Sequence, residues 1–412
     1  MLDLKFIREN PELVRQAISH RKDSAPLDDI LQCDTERRQK VAELDELRRS
    51  RKEASRERTA DADSGRDLRA RIKTLEDEVK ELDECLGELF LQVPNIPHSS
   101  VPIGVGESDN IIIRSSGDPQ QLNFNPAPHW ELGEALSIID FESGVKISGT
   151  RFYVLRGLGA RLQRALISLM LDLHTLEHNY LEIYPPWMVK RECMVASGNL
   201  PKFADNLYHD DQDDMWFVPT AEVPLTNLHR DEIIAPGVLP LHYVAYTACF
   251  RREKMSAGKD TRGIKRGHQF DKVELYKFVE PSTSDSELEK LVKDAEDVLI
   301  KLAIPYRVKQ LCTADLGFAS TKTYDLETWA PGCQEWLEVS SCSNCGDFQA
   351  RRANIRYRPA AGEKAQFVHT LNGSGLALPR IVISVIENYQ QADGSILVPE
   401  ALQPFMKTKI II

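Results

Sequence analysis

Residues 248–278 read ACFRREKMSAGKDTRGIKRGHQFDKVELYKF, and this stretch decides how the rest of the chain is read. From Arg251 to Lys272 it carries eight Lys/Arg against three Asp/Glu, a local charge of +5 in a chain whose formal net charge is −11. A solvated loop usually mixes its signs, whereas a run biased this way often meets phosphate. Phe250, Phe270, Tyr276 and Phe278 interleave with the cations, and Glu253 and Glu274 are spaced among them. Two readings stay open on this stretch alone: a charged hairpin at a sheet edge, or a nucleotide site.

At 412 residues the chain exceeds one average domain, and two domains are the expectation. No apolar run is long enough to span a bilayer, so no membrane partner is expected. The amino terminus, MLDLKFIREN, holds Asp3 and Glu9 and no apolar core, unlike a secretory or transit signal. Eight cysteines in so long a chain suggest no disulfide framework, and a reduced, cytoplasmic setting is expected. Cys342 and Cys345 form a CxxC without two further ligands nearby. They read as small apolar residues beside a turn, and no structural zinc is expected.

Leu68, Ile72, Leu75, Val79, Leu82, Leu86 and Leu89 recur at alternating spacings of four and three, a heptad seam. Val41, Leu44 and Leu47 mark a weaker helical pattern between Asp28 and Arg58, and TADADSG (59–65) is the turn signal between the two. The expectation is a long antiparallel helical hairpin with arms of about 45 Å. From Arg37 to Lys73 it holds 13 Lys/Arg and 8 Asp/Glu, so its net charge is +5 and the remainder of the chain carries −16. Such a tip suits a polyanion, and an ordinary solvated coiled-coil face remains the alternative. Pro94, Pro97, Pro102, Gly104 and Gly106 then mark a linker over residues 92–110. Beyond it, short β-like runs such as FYVL (152–155), WFVP (216–219) and EWLEVSS (335–341) mix irregularly with helices. That texture predicts an antiparallel sheet in an α+β domain.

Three separated segments bear on the chemistry. They are HNYLEIYPPWM (178–188), the FRRE of residues 250–253 with its glycine-bearing loop and HQF, and NGSGLALPRIVISVIENYQ (372–390). In this order they resemble motifs one, two and three of the class II aminoacyl-tRNA synthetases. PTAEVPLTN (219–227), SAGKDTRGIKRGHQFDKVEL (256–275), EWLEVSSCSNCGDFQARRANIRYR (335–358) and HTLNGSG (369–375) narrow the resemblance to the seryl-tRNA synthetase family, over essentially the whole chain.

The resemblance implies residues 1–97 as a tRNA-binding arm and 98–412 as a class II catalytic domain. It implies activation of L-serine by ATP with Mg2+, transfer of the seryl group to tRNA(Ser), and a homodimer; charging of tRNA(Sec) is left open. Arg251 is then expected on the α-phosphate and the serine carboxylate, and Arg380 on the γ-phosphate. Guanidinium suits both places because its planar fork binds oxyanions bidentately and stays charged. Arg252, Glu253, Phe270, Glu338, Val339, Ser340 and Ser341 complete the implied ATP site, with Glu253 taking the adenine amino group and Phe270 stacking on the ring. Glu338 and Ser341 are the implied magnesium ligands, oxygen donors that suit a hard cation. Thr220, Ala221, Glu222, Glu274 and Ser374, with Arg251, are implied around serine. A pocket that hydrogen-bonds the serine hydroxyl rejects alanine by leaving buried acceptors unpaired. No general base stands out or is needed, and His268 reads as a structural partner in the loop.

Pro379 departs from the glycine many relatives have before this arginine, and Met255 from a commonly small residue. The terminal KTKIII has no assigned role. A ligase that loads a carrier protein and a non-catalytic coiled-coil protein are the competing functions. The basic hairpin opposes the first; Arg251, Glu253, Glu274, Glu338 and Arg380 oppose the second.

Overall fold

The computed structural model describes residues 1–57, 62–119, 122–254 and 262–412; Met255, most of the loop after it and residues 59–61 of the expected turn lie outside these. The chain divides into two compact units, Met1–Pro94 and Asn95–Ile412.

In the first unit α1 (Leu4–Glu9) and α2 (Pro11–His20) precede the long helices α3 (Leu27–Glu57) and α4 (Ala62–Phe90). Asp3 caps α1 by accepting the Lys5 and Phe6 amides at 2.8 and 3.2 Å. Residues 62–65 of the expected turn already belong to α4. The heptad residues Ile72, Leu75 and Leu86 are buried, with Ile72 and Leu75 packed against Leu44. Cross-helix ion pairs Arg37–Asp83, Lys40–Glu78 (2.7 Å) and Arg48–Glu76 (2.8 Å) run in opposite sequence directions, so the hairpin is antiparallel. At 31 residues, α3 is about 46 Å long.

The second unit is built on an eight-stranded sheet. Its strands are β1 (Ile111–Ser116), β2 (Leu181–Glu182), β3 (Leu241–Phe250), β4 (Gln269–Val279), β5 (Tyr306–Gln310), β6 (Lys322–Ala330), β7 (Glu335–Asn344) and β8 (His369–Ala377). Their order is β1-β5-β6-β7-β8-β4-β3-β2. All neighbours are antiparallel except the β2–β3 pair at the edge, where Leu181 faces Tyr243 in a parallel register. The FRRE stretch thus leads out of the first strand of the hairpin β3–β4, which the two-residue β2 separates from the sheet edge at Tyr243–Val244. Of the shorter runs, FYVL supplies only Val154–Leu155 and WFVP the strand Met215–Phe217.

Alternation along the strands sorts the two faces. Val273, Leu275, Leu326, Leu337 and Leu371 join one core with α5 (Leu158–Leu176), α6 (Ser284–Lys301) and α7 (Leu378–Asn388). Lys272, Glu274, Asp325 and Glu338, being out of phase, face the other way. Pro379 occupies the second position of α7, where its missing amide is one without a helical partner. The terminal Ile410–Ile411 pairs with Ile396–Leu397 and buries Ile411, which gives KTKIII a packing role.

Candidate active site

Neighbouring strands β7, β8 and β4, the residues just past β3 and the start of α7 surround a cavity of about 360 Å³. Thr220, Glu222, Arg251, Glu253, Phe270, Glu274, Glu338, Val339, Ser341, Ser374 and Arg380 line it. Glu274 lies opposite Ser374 in the β4–β8 register, so these two meet because adjacent strands pair. Three other expected site residues lie outside the lining. Ala221 is fully buried in a second apolar cluster with Tyr243 and Tyr276. Ser340 points to the helical side, where its hydroxyl donates to the Ser374 carbonyl at 2.5 Å. Arg252 turns away, donating to the Leu207 carbonyl at 2.8 Å with its guanidinium over the Tyr208 ring.

Glu338 and Ser341 are three residues apart and in a regular strand would face opposite sides. The β6–β7 ladder shifts here: Leu326 pairs with Ser340 but Glu327 pairs with Glu338, leaving Val339 as an extra residue. This bulge returns both oxygen-bearing side chains to the cavity. Asp325, opposite Ser341, is buried, and its Oδ1 has no hydrogen-bond partner. Burial and the neighbouring Glu338 charge hold its carboxyl well above the usual range. An orphaned carboxylate oxygen beside Glu338 and Ser341 fits the donor set of a hard divalent cation.

Arg251 leaves β3 with its amide on the His268 carbonyl (2.9 Å) and its Nε on the Pro219 carbonyl (3.2 Å). The second bond ties it to the segment that carries Thr220. Its guanidinium lies 5.1 Å from the Phe270 ring centroid. His268 Nδ1 donates to the Arg251 carbonyl at 3.0 Å, a structural contact. Glu253 adopts φ +50°, a left-handed turn that a glutamate occupies only when its surroundings impose it. Arg380 reaches the Glu338 carbonyl at 2.7 Å and its carboxylate at 3.1 Å.

At the other end, Glu222 Oε1 accepts from Gln349 at 2.6 Å and Asn372 at 3.2 Å. Burial and the Glu274 charge push its carboxyl up to about 7, against the opposing pull of Lys272, the Gln349 hydrogen bond and Arg251. Lys272 Nζ lies 2.5 Å from Glu274 Oε2. Sequence reading missed Lys272, Asn372, Gln349, Lys265 and Arg266. Lys272 and Asn372 stand two residues before Glu274 and Ser374, so the strand period alone would have found them. Nothing local marks Gln349, which sits on the helix Phe348–Ala353. Cys342 and Cys345 are buried free thiols, pushed up to about 12 and beyond by burial, as packing residues would be.

Residues 203–389 match the family described as "tRNA synthetase class II core domain (G, H, P, S and T)", and residues 1–97 match "Seryl-tRNA synthetase N-terminal domain". A serine–tRNA ligase of Dehalococcoides mccartyi is 64% identical over 412 residues, 100% of both chains. The chain belongs to the seryl-tRNA synthetase family. Among solved structures, the seryl-tRNA synthetase of Pyrococcus horikoshii complexed with ATP is 39% identical, covers 100% of this chain and 99% of its own, and superposes with a TM-score of 0.94. The serine–tRNA ligase of Naegleria fowleri in complex with AMP gives 31% identity, 100% and 98% coverage and a TM-score of 0.90. As a seryl-tRNA synthetase, the chain activates serine with ATP and transfers the seryl group to tRNA(Ser). The carrier-protein and non-catalytic alternatives are thereby set aside. No helix among the described residues is long and apolar enough to cross a membrane.

Proposed function

We propose that the cavity holds ATP and serine end to end, with Arg251 at their junction. The observation that carries this reading is that one cavity brings Arg251 and Arg380 together with the carboxylates of Glu222, Glu274 and Glu338. A serine carboxylate oxygen attacks the α-phosphorus, the bond to the β-phosphate breaks, and pyrophosphate leaves. Arg251 holds the attacking carboxylate and the α-phosphate; Arg380 holds the γ-phosphate. Glu253 accepts from the adenine amino group, and Phe270 packs on the ring. Glu338 and Ser341 would hold Mg2+, which supplies positive charge to the phosphates. Thr220, Glu222 and Glu274 take the serine ammonium and hydroxyl, and Ser374 gives the hydroxyl a second contact. A terminal ribose hydroxyl of tRNA(Ser) then attacks the acyl carbon and displaces AMP. The basic stretch of the helical hairpin, residues 37–73, holds the tRNA body, and we place the enzyme in the cytoplasm. Serine-dependent exchange of pyrophosphate into ATP, followed by charging of tRNA(Ser) and, in parallel, tRNA(Sec), tests the scheme. Exchange without charging of either tRNA would overturn the transfer half of the scheme.

Serine binding should depend on pH through Glu222. With its carboxyl near 7, the residue is largely neutral below that pH and ionised above it. An ammonium favours the ionised form, so the serine KM should fall as pH rises from about 6 to 8, with proton release on binding. Glu222→Gln should raise the serine KM and flatten this profile. An unchanged profile in that variant would remove Glu222 from the ammonium site.

The motif-one segment exposes Leu181, Tyr184 and Met188, large apolar side chains that need cover. We therefore expect a homodimer burying more than about 2,000 Å². Light scattering at micromolar concentration should give twice the 46.7 kDa chain mass. A fully active monomer would refute it.

A further inference from the structure

Behind the ATP site lies a buried cluster that the scheme above does not use. Glu387, near the end of α7, accepts five donors with its fully buried carboxylate. Oε1 takes the His129 amide (2.9 Å), His129 Nδ1 (2.9 Å) and the Cys333 thiol (3.0 Å). Oε2 takes the Gly332 and Cys333 amides at 2.8 and 3.0 Å. The far nitrogen of the same imidazole, His129 Nε2, accepts the Ile264 amide at 3.2 Å. Because Ile264 N–H donates, Nε2 is the bare nitrogen and the ring proton sits on Nδ1, facing Glu387.

Ile264 belongs to the segment that returns from the cationic loop. Gly263 beside it has φ +73°, and a Cβ there would lie 2.0 Å from His129 Nε2. The backbone is therefore laid directly against the imidazole edge, which only glycine permits. The next two residues, Lys265 and Arg266, line the ATP cavity. Lys265 Nζ is 2.6 Å from Glu335 Oε2, and Arg266 Nη1 is 3.6 Å from Glu253 Oε2. The opposite end of α7 carries Arg380 into the same cavity.

We infer that His129 and Glu387 are positioning residues for ATP: through the Ile264 amide they anchor residues 263–266 to α7, so that Lys265, Arg266 and Arg380 are set relative to one another by one helix. Neither residue touches the cavity itself. The inference rests on the ATP assignment made above.

His129, Cys333 and Glu387 also have ligand atoms within 4.8 Å of one another, the arrangement of a metal centre. The tautomer opposes that use. A metal on Nδ1 would move the ring proton to Nε2, where it would meet the Ile264 N–H, and Glu387 Oε1 has already taken three donors.

His129→Phe keeps an aromatic ring and removes both nitrogens. Losing the anchor should raise the ATP KM in pyrophosphate exchange about tenfold while the serine KM stays within about twofold. Amide hydrogen exchange at Ile264 should speed up by a similar factor, with strand 241–250 unchanged. Gly263→Ala, whose Cβ would collide with the imidazole and force the segment off it while leaving His129, Cys333 and Glu387 unsubstituted, should reproduce both effects and carries the test if His129→Phe does not fold. Equal rises in the two KM values, or an Ile264 amide as protected as in the parent, would overturn the anchor. Stoichiometric zinc in the purified parent, absent from His129→Phe, would overturn it in favour of a metal centre. Loss of serine-dependent exchange in the parent would instead indict the ATP assignment, since Ile264 protection reads the anchor independently of catalysis.

Discussion

Arg251→Ala should lose adenylate formation almost completely while the fold survives. Charge accumulates on the α-phosphate as pyrophosphate leaves, and a preorganised donor at that point contributes on the order of 3 kcal/mol, a factor of roughly 100 or more in rate. The side chain is held in place before substrate arrives, by its bond to the Pro219 carbonyl and by the face of Phe270. Its removal therefore costs a positioned charge rather than a mobile one. Arg251→Lys should recover little, because an ammonium cannot bridge carboxylate and phosphate with a planar fork. Stopped-flow or exchange measurements at saturating serine and ATP would check this. Exchange within a few fold of the parent rate would end the assignment.

Deleting Arg37 to Lys73 and rejoining the helices with a short turn should have the opposite profile. Pyrophosphate exchange should persist, because no residue lining the cavity lies in that span. Charging of tRNA(Ser) should collapse, because 13 of the 52 Lys/Arg go with it. Not every cation there is available to RNA. Arg48 is committed to Glu76, Arg71 to Glu43, Lys40 to Glu78 and Arg37 to Asp83, all within the hairpin. Arg49, Arg51 and Lys52 are exposed and form no ion pair among the described residues. Replacing these three with Ala should weaken tRNA binding and flatten its salt dependence, by up to about one power of salt for each phosphate no longer neutralised. Arg48→Ala would mix that loss with damage to the hairpin. Normal charging by the deletion variant would remove the arm from tRNA binding.

Residues whose chemistry is unusual for their setting were legible in the sequence. Glu274 and Glu338 are charges inside strands, Arg251 follows Phe250, Arg380 follows Pro379 at a helix start, and Glu253 stands in the FRRE segment that resembles a family motif. The heptad from Leu68 to Leu89 was legible because a seam repeats and a repeat can be counted. In a regular strand Ser340 would share a face with Glu338; it does not because of a bulge, a property of two strands that is invisible in either alone. Gln349 could not be found, since its bond to Glu222 spans 127 residues and depends on a tertiary contact. Arg252 resembles Arg251 in every local respect; only the direction of the chain after β3 separates them. Within the eight-stranded sheet only β2 pairs in parallel, a two-residue edge strand too short for any period to show.

The extra residue at Val339 decides which face Glu338 takes. A β7 of the same length that paired with β6 residue for residue would put Glu338 and Ser341 on opposite faces and leave Asp325 and Ser341 without it. Deleting Val339 would instead leave Glu338 and Ser341 two residues apart and on one face, though it removes one wall residue of the cavity. Engineering that smooths the ladder by substitution alone would therefore lose the site, whereas a one-residue deletion would keep Glu338 in it. Segment exchange with other chains must carry β6 and β7 together, because the bulge belongs to the pair.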